Sequence, residues 1–574
     1  MNLLPMPRSL ELTGDTVPFA EASHRIDDTL EPQGYVLAIS ESGVEVVGAD
    51  AAGLFYGDAT LAQLAREHEG MLPAGVVRDH PDLAVRGVML DVSRDKVPTM
   101  ATLCALIDRL AAAKVNQVQL YSEHTFAYRG HPEVHAQASP LSAEEIRELD
   151  VFCAARQVEL VPNQNCLGHM NRWLQHERYR PLALAPDGFT DPFGMTRAAM
   201  TIDPLNPGSL ELVRELLAEL LPNFSSRRVH VGLDEAWEIP HSRIDDFVAW
   251  VRTLRALPEL DGHEMLIWGD MLLGHPGELR ALPDGVTVCE WGYDDDHPYD
   301  ERCAQLAASG VPFWVTPGTS SWSSLVGRHT NARNTCRIAA EAALAHGAVG
   351  YLNTDWGDQG HLQQWIVSEP ILSYGAAVSW CLDSNADIDL TAALSTHVFE
   401  DPAGHLAAAV LAVADAHRLV TPQFPNMSAI VANLYYPQLP VGRSLTTGLT
   451  AEELDRVDAT LAAARQEVSA ARPQRHDAAL LVDEATFGID LVALLVRDAR
   501  LRLDGDGHIG SVPTDDRAAL TADLDALITR YRALWLARNR PGGLVDSLAW
   551  LENLRAAYVT GEADPTWGGL PAPK

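Results

Sequence analysis

Eight short apolar runs, separated by amphipathic helical stretches over about 270 residues, constrain this chain more than any other feature. They are GVMLDV (87–92), QVQLY (117–121), VELVP (158–162), RVHVG (228–232), MLIWG (265–269), TVCEW (287–291), PFWVT (312–316) and GYLNTD (350–355). Runs this short and this apolar read as strands buried on both faces, which is how parallel strands covered by crossover helices look. Stretches 100–113 and 209–221 are two of the helical segments between them. Eight βα units in this length match the arithmetic of an α/β fold of the (β/α)8 TIM-barrel type. A doubly wound sheet alternates similarly but usually has fewer strands and a glycine-rich phosphate loop. No GxGxxG or GxxxxGK(S/T) follows any of the runs, so nucleotide binding has no support.

The flanks read differently. GYVLAISESGVEVV (34–47) holds two alternating runs around Glu41-Ser42-Gly43, a hairpin signal, and 51–67 is apolar at helical spacing. After about residue 383 strand signals vanish; 451–471 and 514–539 are rich in Ala, Leu, Arg and Asp at helical spacing. The expected organisation is an N-terminal α+β domain over 1–82, the barrel over 83–382 and an α-helical C-terminal domain over 383–574. Within that last domain Arg538-Asn-Arg540-Pro-Gly-Gly543 reads first as a plain loop, with closure over the barrel mouth or a homodimer contact as the alternatives.

The 574 residues carry 43 basic against 78 acidic side chains, a formal charge of -35. Such an excess repels phosphate backbones and anionic lipid, so it argues against nucleic-acid and membrane-surface partners and suits a neutral substrate. The start, MNLLPMPRSLELTGD, lacks a basic stretch followed by an apolar core, and no run of about 18 apolar residues occurs. Seven scattered cysteines without CxxC spacing read as reduced thiols. A cytoplasmic protein without metal or cofactor is the expectation.

Barrels of this type gather reactive groups where strands end and βα loops begin. The first run ends Asp91-Val92-Ser93-Arg94 and the second Tyr121-Ser122-Glu123-His124; the third leads through Asn163-Gln164-Asn165 to Gly168-His169. The fourth continues as Gly232-Leu233-Asp234-Glu235, with Trp237 beyond; the fifth ends Trp268-Gly269-Asp270, the sixth Glu290-Trp291-Gly292-Tyr293 and the eighth Asp355-Trp356-Gly357-Asp358. Carboxylates recur at this edge and three strands end on tryptophan. Indole faces stack on the C–H faces of pyranose rings while carboxylates bind hydroxyls, so the pattern describes a sugar pocket.

Asp234-Glu235 is the catalytic candidate. Glycoside cleavage needs an acid at the leaving oxygen and an opposing group that stabilises charge at the anomeric carbon. Consecutive strand residues point to opposite faces, so both acids reach one pocket only if the chain bends, which Gly232 permits. Adjacent acids do not sit across a sugar from each other. They fit a scheme in which the substrate's own 2-acetamido oxygen attacks the anomeric carbon.

These residues resemble glycoside hydrolase family 20, the β-N-acetylhexosaminidases. His230-Val-Gly232-Leu-Asp234-Glu235 is similar to the family's His-x-Gly-x-Asp-Glu. Arg86-Gly-Val-Met-Leu-Asp91-Val-Ser-Arg94 resembles its first barrel strand, Gly168-His169 its Pro-Gly-His, and Trp356-Gly-Asp358 its Trp-Gly-Glu. The resemblance spans about residues 1–380. It implies removal of terminal β-linked N-acetylhexosamine, with Asp234 holding the acetamide and Glu235 as acid, then base. It places His169 in a polar relay with Glu123, Arg86 on the 3- and 4-hydroxyls, and Asp358 on the 4- and 6-hydroxyls. Trp268, Trp291 and Trp356 would line the pocket. The family's seventh-strand tyrosine has no obvious counterpart in Pro317-Gly-Thr-Ser-Ser-Trp322. Tyr293, or a donor in the 316–322 loop, is the expected substitute, and Tyr293 and Trp322 join the substrate-binding set. Two other readings stand beside this one: a metal-dependent hydrolase, which would want His-x-His after the first strand where Asp91 stands, and a non-catalytic sugar-binding protein.

Overall fold

In the computed structural model, which describes residues 1–569, the chain opens with a five-stranded sheet. Its strands are β1 (Ser9–Pro18), β2 (Ala22–Ile26), β3 (Tyr35–Ser40), β4 (Gly43–Gly48) and β5 (Met71–Asp79), in the order β1-β5-β3-β4-β2. β3 and β4 are the hairpin expected from the sequence, and helix Ala51–Glu67, capped by Asp50 accepting the Gly53 N–H, packs on them. β1 and β2 left no sequence signal because both are edge strands with mostly exposed residues and so no apolar alternation.

Each of the eight apolar runs overlaps a barrel strand. These are β6 (Arg86–Asp91), β7 (Gln117–Tyr121), β8 (Glu159–Val161), β11 (Arg228–His230), β12 (Glu264–Trp268), β13 (Val286–Trp291), β14 (Phe313–Thr316) and β15 (Gly350–Asp355). A two-stranded hairpin, β9 (Phe189–Thr190) with β10 (Thr196–Arg197), rises from the loop after β8. The barrel runs β11-β12-β13-β14-β15-β6-β7-β8 with every pair parallel. It closes without a regular ladder. A bridge between Asn163 and His230 joins the ends, and the His230 N–H donates to Pro162 O at 2.9 Å.

The N-terminal sheet docks beneath the barrel, at the end where the strands begin. Lys114 Nζ donates to Asp79 and to the Tyr35 hydroxyl there, and Trp380 Nε1 donates to the same Asp79. The C-terminal helices Ala451–Ala470, Ala478–Leu503, Thr514–Arg538 and Leu544–Thr560 pack along the barrel's flank. Between the two lies helix Trp365–Trp380, buried along its whole length, so one apolar core runs from barrel to helical region. No helix of the described residues is long and apolar enough to cross a membrane.

The 538–543 segment is not a plain loop. Asn539 bridges to Pro98, the Arg540 N–H donates to Val97 O, and the Gly543 N–H donates to Gln137 O. A Cβ on Gly543 would lie 1.9 Å from Asp95 O. The segment is therefore fitted against the βα loops that follow β6 and β7, on the mouth side of the barrel.

Candidate active site

The chain beyond β11 turns left-handed almost at once. Gly232 has φ 71°, Leu233 77° and Glu235 48°, a region that non-glycine residues rarely occupy. Gly232 lies so close to Asn165 that a Cβ would stand 1.9 Å from Oδ1, and a Cβ on Gly168 would stand 2.3 Å from Asp234 O. This tight crossing breaks the strand's alternation and turns both acids the same way. His169 Nε2 lies 3.2 Å from Asp234 Oδ2 and 3.3 Å from Glu235 Oε2.

His169 is itself left-handed, φ 55°, and its Nδ1 lies 3.6 Å from Glu123 Oε1. Burial works against a charge on its ring, but the carboxylates of Asp234 and Glu235 outweigh it and lift its pKa well above the ordinary value. For Asp234 burial likewise favours the neutral acid, and the facing imidazolium overcomes it, so its pKa falls. Asp234 is thus an anion, 9% exposed, and its Oδ1 has no hydrogen-bond partner within the protein. Glu123 is pushed upward by burial; it accepts from the Tyr121 hydroxyl at 3.0 Å, which accepts in turn from Asn165 Nδ2.

Asp270 belongs to this network although the sequence reading passed over it. Its Oδ2 accepts the Glu235 N–H at 3.0 Å and its Oδ1 accepts Trp291 Nε1 at 3.3 Å. Burial first, and the charge of Asp234 next, raise its carboxyl to about 7. Its place at the end of β12 was visible in the sequence; its backbone partner, in a left-handed turn from another strand, was not.

Arg86 requires a correction. It opens β6, about 16 Å below the strand's far end at a rise of about 3.3 Å per residue. It is fully buried, donating to Lys114 O, Leu83 O, Gln33 Oε1 and the Tyr56 hydroxyl, with Trp380 against its guanidinium. It fastens the N-terminal domain to the barrel floor and cannot reach a sugar at the mouth. The mouth arginine is Arg94. Asp91 fixes it from below, accepting Nη1 at 2.9 Å; Tyr121 and Trp356 flank it, and its Nε lies 3.2 Å from Asp358 Oδ1.

The aromatic residues converge, but not equally. Trp268 and Trp322 are each 1% exposed, so they back the wall instead of presenting a face to ligand, a second correction to the expected lining. Trp268 packs on His230 and Trp356, and Trp322 stands edge-on to Tyr293. Trp291 and Tyr293, stacked at 5.3 Å and both half-buried, face outward, and Trp356 lies edge-on to Tyr293. The hydroxyls of the loop after β14 are engaged elsewhere: Thr319 and Ser321 donate to Asp355 at 2.6 Å, and Ser320 donates to Tyr293 O. Thr316 Oγ1, at the start of the same span, is buried without a partner, so both Tyr293 and the 316–322 span keep a donor hydroxyl. Burial holds the Tyr293 phenol well above the usual value, so it keeps its proton. Among the described residues no group of three or more His, Cys, Asp or Glu is placed to hold a metal ion.

Residues 84–322 match the profile of the glycosyl hydrolase family 20 catalytic domain, and residues 17–80 that of the same family's domain 2. A β-hexosaminidase of Akkermansia muciniphila is 29% identical over 266 residues, covering 41% of this chain and 53% of that protein. The chain thus spans about half the length of that curated relative. Among solved structures, a β-N-acetylhexosaminidase superposes with a TM-score of 0.55 at 21% identity, covering 66% of this chain and 90% of that one. The family 20 β-N-acetylhexosaminidase of Streptomyces coelicolor gives 0.53 at 20% identity, covering 69% and 95%. With both characteristic domains matched in order and the paired acids at the end of the fourth barrel strand, this chain belongs to glycoside hydrolase family 20.

Proposed function

We propose that the protein is an exo-acting β-N-acetylhexosaminidase that removes terminal β-linked N-acetylglucosamine or N-acetylgalactosamine with retention, using the substrate's acetamide as nucleophile. The observation that carries this is the Asp234-Glu235 turn, which aims both acids at one place and leaves Asp234 ionised with Oδ1 unengaged. Asp234 accepts the acetamido N–H, and Tyr293 donates to the acetamido oxygen from across the pocket. That oxygen attacks the anomeric carbon as the bond to the aglycone oxygen breaks, and Glu235 gives its proton to the leaving oxygen. Glu235 then takes a proton from the water that opens the oxazolinium, and two inversions give net retention. The imidazolium of His169 offsets the paired negative charge. Arg94, held rigid by Asp91, and Asp358 bind the hydroxyls of the terminal sugar. These groups end the pocket at the sugar's far edge, which favours exo cleavage.

The test compares p-nitrophenyl β-N-acetylglucosaminide and galactosaminide as substrates. Glu235→Gln should lower kcat about 10²–10⁴-fold. Asp234→Asn should come close to that, and Arg94→Ala should raise KM, with thiazoline mimics of the oxazolinium inhibiting the wild type. Wild-type rates in Asp234→Asn would rule out the substrate-assisted scheme. Sugar binding without turnover would leave a non-catalytic lectin-like protein.

A further inference from the structure

A cavity of about 240 Å³ opens beside the catalytic pocket, between the barrel loops and the helical region. Asp95 reaches it from the loop after β6, His124 from the loop after β7, and Arg172 and His176 from the loop after β8. Helix Leu544–Thr560 closes it with Asp546 in its first turn. None of Asp234, Glu235, His169, Glu123 or Arg94 lines it. The wall from Asp546 lies beyond both segments that match family profiles, 17–80 and 84–322, so those profiles do not define this site.

The charges in this wall are matched among themselves. Arg172 Nη2 lies 3.1 Å from Asp95 Oδ1 and 3.0 Å from Asp546 Oδ2. Glu133, also in the wall, pairs with Arg178 at 3.2 Å and accepts the Tyr179 hydroxyl at 2.9 Å. What is left unmatched is neutral. His124 Nδ1 and His176 Nε2 are buried and have no partner within the protein. His124 is 5% exposed, and burial, with Arg172 nearby, lowers its pKa to about 3, so its ring carries no charge. Buried polar atoms are nearly always paired, with protein, water or ligand. Two unpaired imidazoles on one cavity therefore point to an occupant.

The ligand that fits such a wall is itself neutral. An anion would face three carboxylates, a cation would compete with Arg172 for them, and an apolar group would leave both imidazoles unpaired. A hydroxyl donates and accepts, so it pairs an imidazole nitrogen in either tautomer. The space equals that of about eight waters at about 30 Å³ each, room for one sugar ring. We propose that this cavity is a second ligand site, separate from the catalytic pocket, that takes one neutral, hydroxyl-rich molecule the size of a single pyranose, bound by His124 and His176. This site goes beyond the hydrolytic reading and does not depend on it. It lies one hydrogen bond from the catalytic network: the Ser93 hydroxyl, in the cavity wall, accepts the Glu123 N–H at 2.7 Å.

Saturation-transfer NMR with D-glucose as the probe tests this on the full chain. The wild type should bind the sugar saturably at one site. His124→Phe and His176→Phe should each weaken binding about fivefold, the share of one hydrogen bond. Asp358→Ala, at the catalytic mouth, should leave the dissociation constant for glucose unchanged. His176 is half-buried, so His176→Phe carries the test even where the buried His124→Phe does not fold. No saturable binding, or wild-type affinity in His176→Phe, overturns the site. Binding lost in Asp358→Ala but kept in His176→Phe would put the glucose in the catalytic pocket and overturn it equally.

Discussion

Asp270 shows how a single carboxyl can set the pH response of a site without touching the reacting atoms. Burial and the charge of Asp234 raise it to about 7, whereas in the unfolded chain it titrates near the ordinary aspartate value. Between those two values the folded state holds a proton that the unfolded state has released. Stability contributed by this group is therefore complete below the unfolded value and declines as pH rises through about 7. Asp270→Asn cannot titrate, so its Tm should change less than that of the wild type between about pH 4 and 7, a difference of a few degrees. Parallel Tm profiles for the two proteins would show that Asp270 ionises normally. The arginines teach the complementary lesson. Arg86 and Arg94 bracket the same strand, and the resemblance read from the sequence put Arg86 at the sugar, the wrong end of that strand. A strand's ends differ only in direction, and it is the position of Asp91, Tyr121 and Asp358 in space that makes Arg94 the mouth residue.

At the level of elements, the barrel strands were legible because each is buried on both faces, and an apolar run is the physical consequence of that burial. The turn after β11 was legible only in part. Gly232 announced a bend, but the left-handed conformations of Leu233 and Glu235 follow from the close crossing with Asn165 and Gly168. Gly232→Ala tests that crossing. A left-handed non-glycine residue costs about 1–2 kcal/mol, and the contact with Asn165 adds to it. Denaturant unfolding should therefore show a loss of at least that size. Activity should fall further than stability alone explains, because relief of the clash rotates Asp234 away from His169. Wild-type kcat in a destabilised Gly232→Ala would mean that the turn is structural only.

Across the whole molecule, the helical region behaves as part of the barrel. Helix Trp365–Trp380 is buried from end to end, and the helices beyond 383 supply one side of that burial. Arg172, three residues from His169, pairs with both Asp95 and Asp546, tying two mouth loops to helix Leu544–Thr560. Tyr436 accepts from Gln359, the neighbour of Asp358. Calorimetry should accordingly give one unfolding transition for barrel and helical region together. Two well-separated transitions would show that the shared core does not couple them.

By itself the sequence determined the fold class, the number and order of the barrel strands, and the paired acids at the end of the fourth, because burial and turn chemistry are written locally along the chain. The tertiary structure alone decided which arginine reaches the mouth, that Trp268 and Trp322 stand behind the wall, that Asp270 holds the Glu235 backbone, and that 538–543 docks on the mouth loops. Each of these depends on contacts between residues far apart in the chain, whose distance and direction no local pattern encodes.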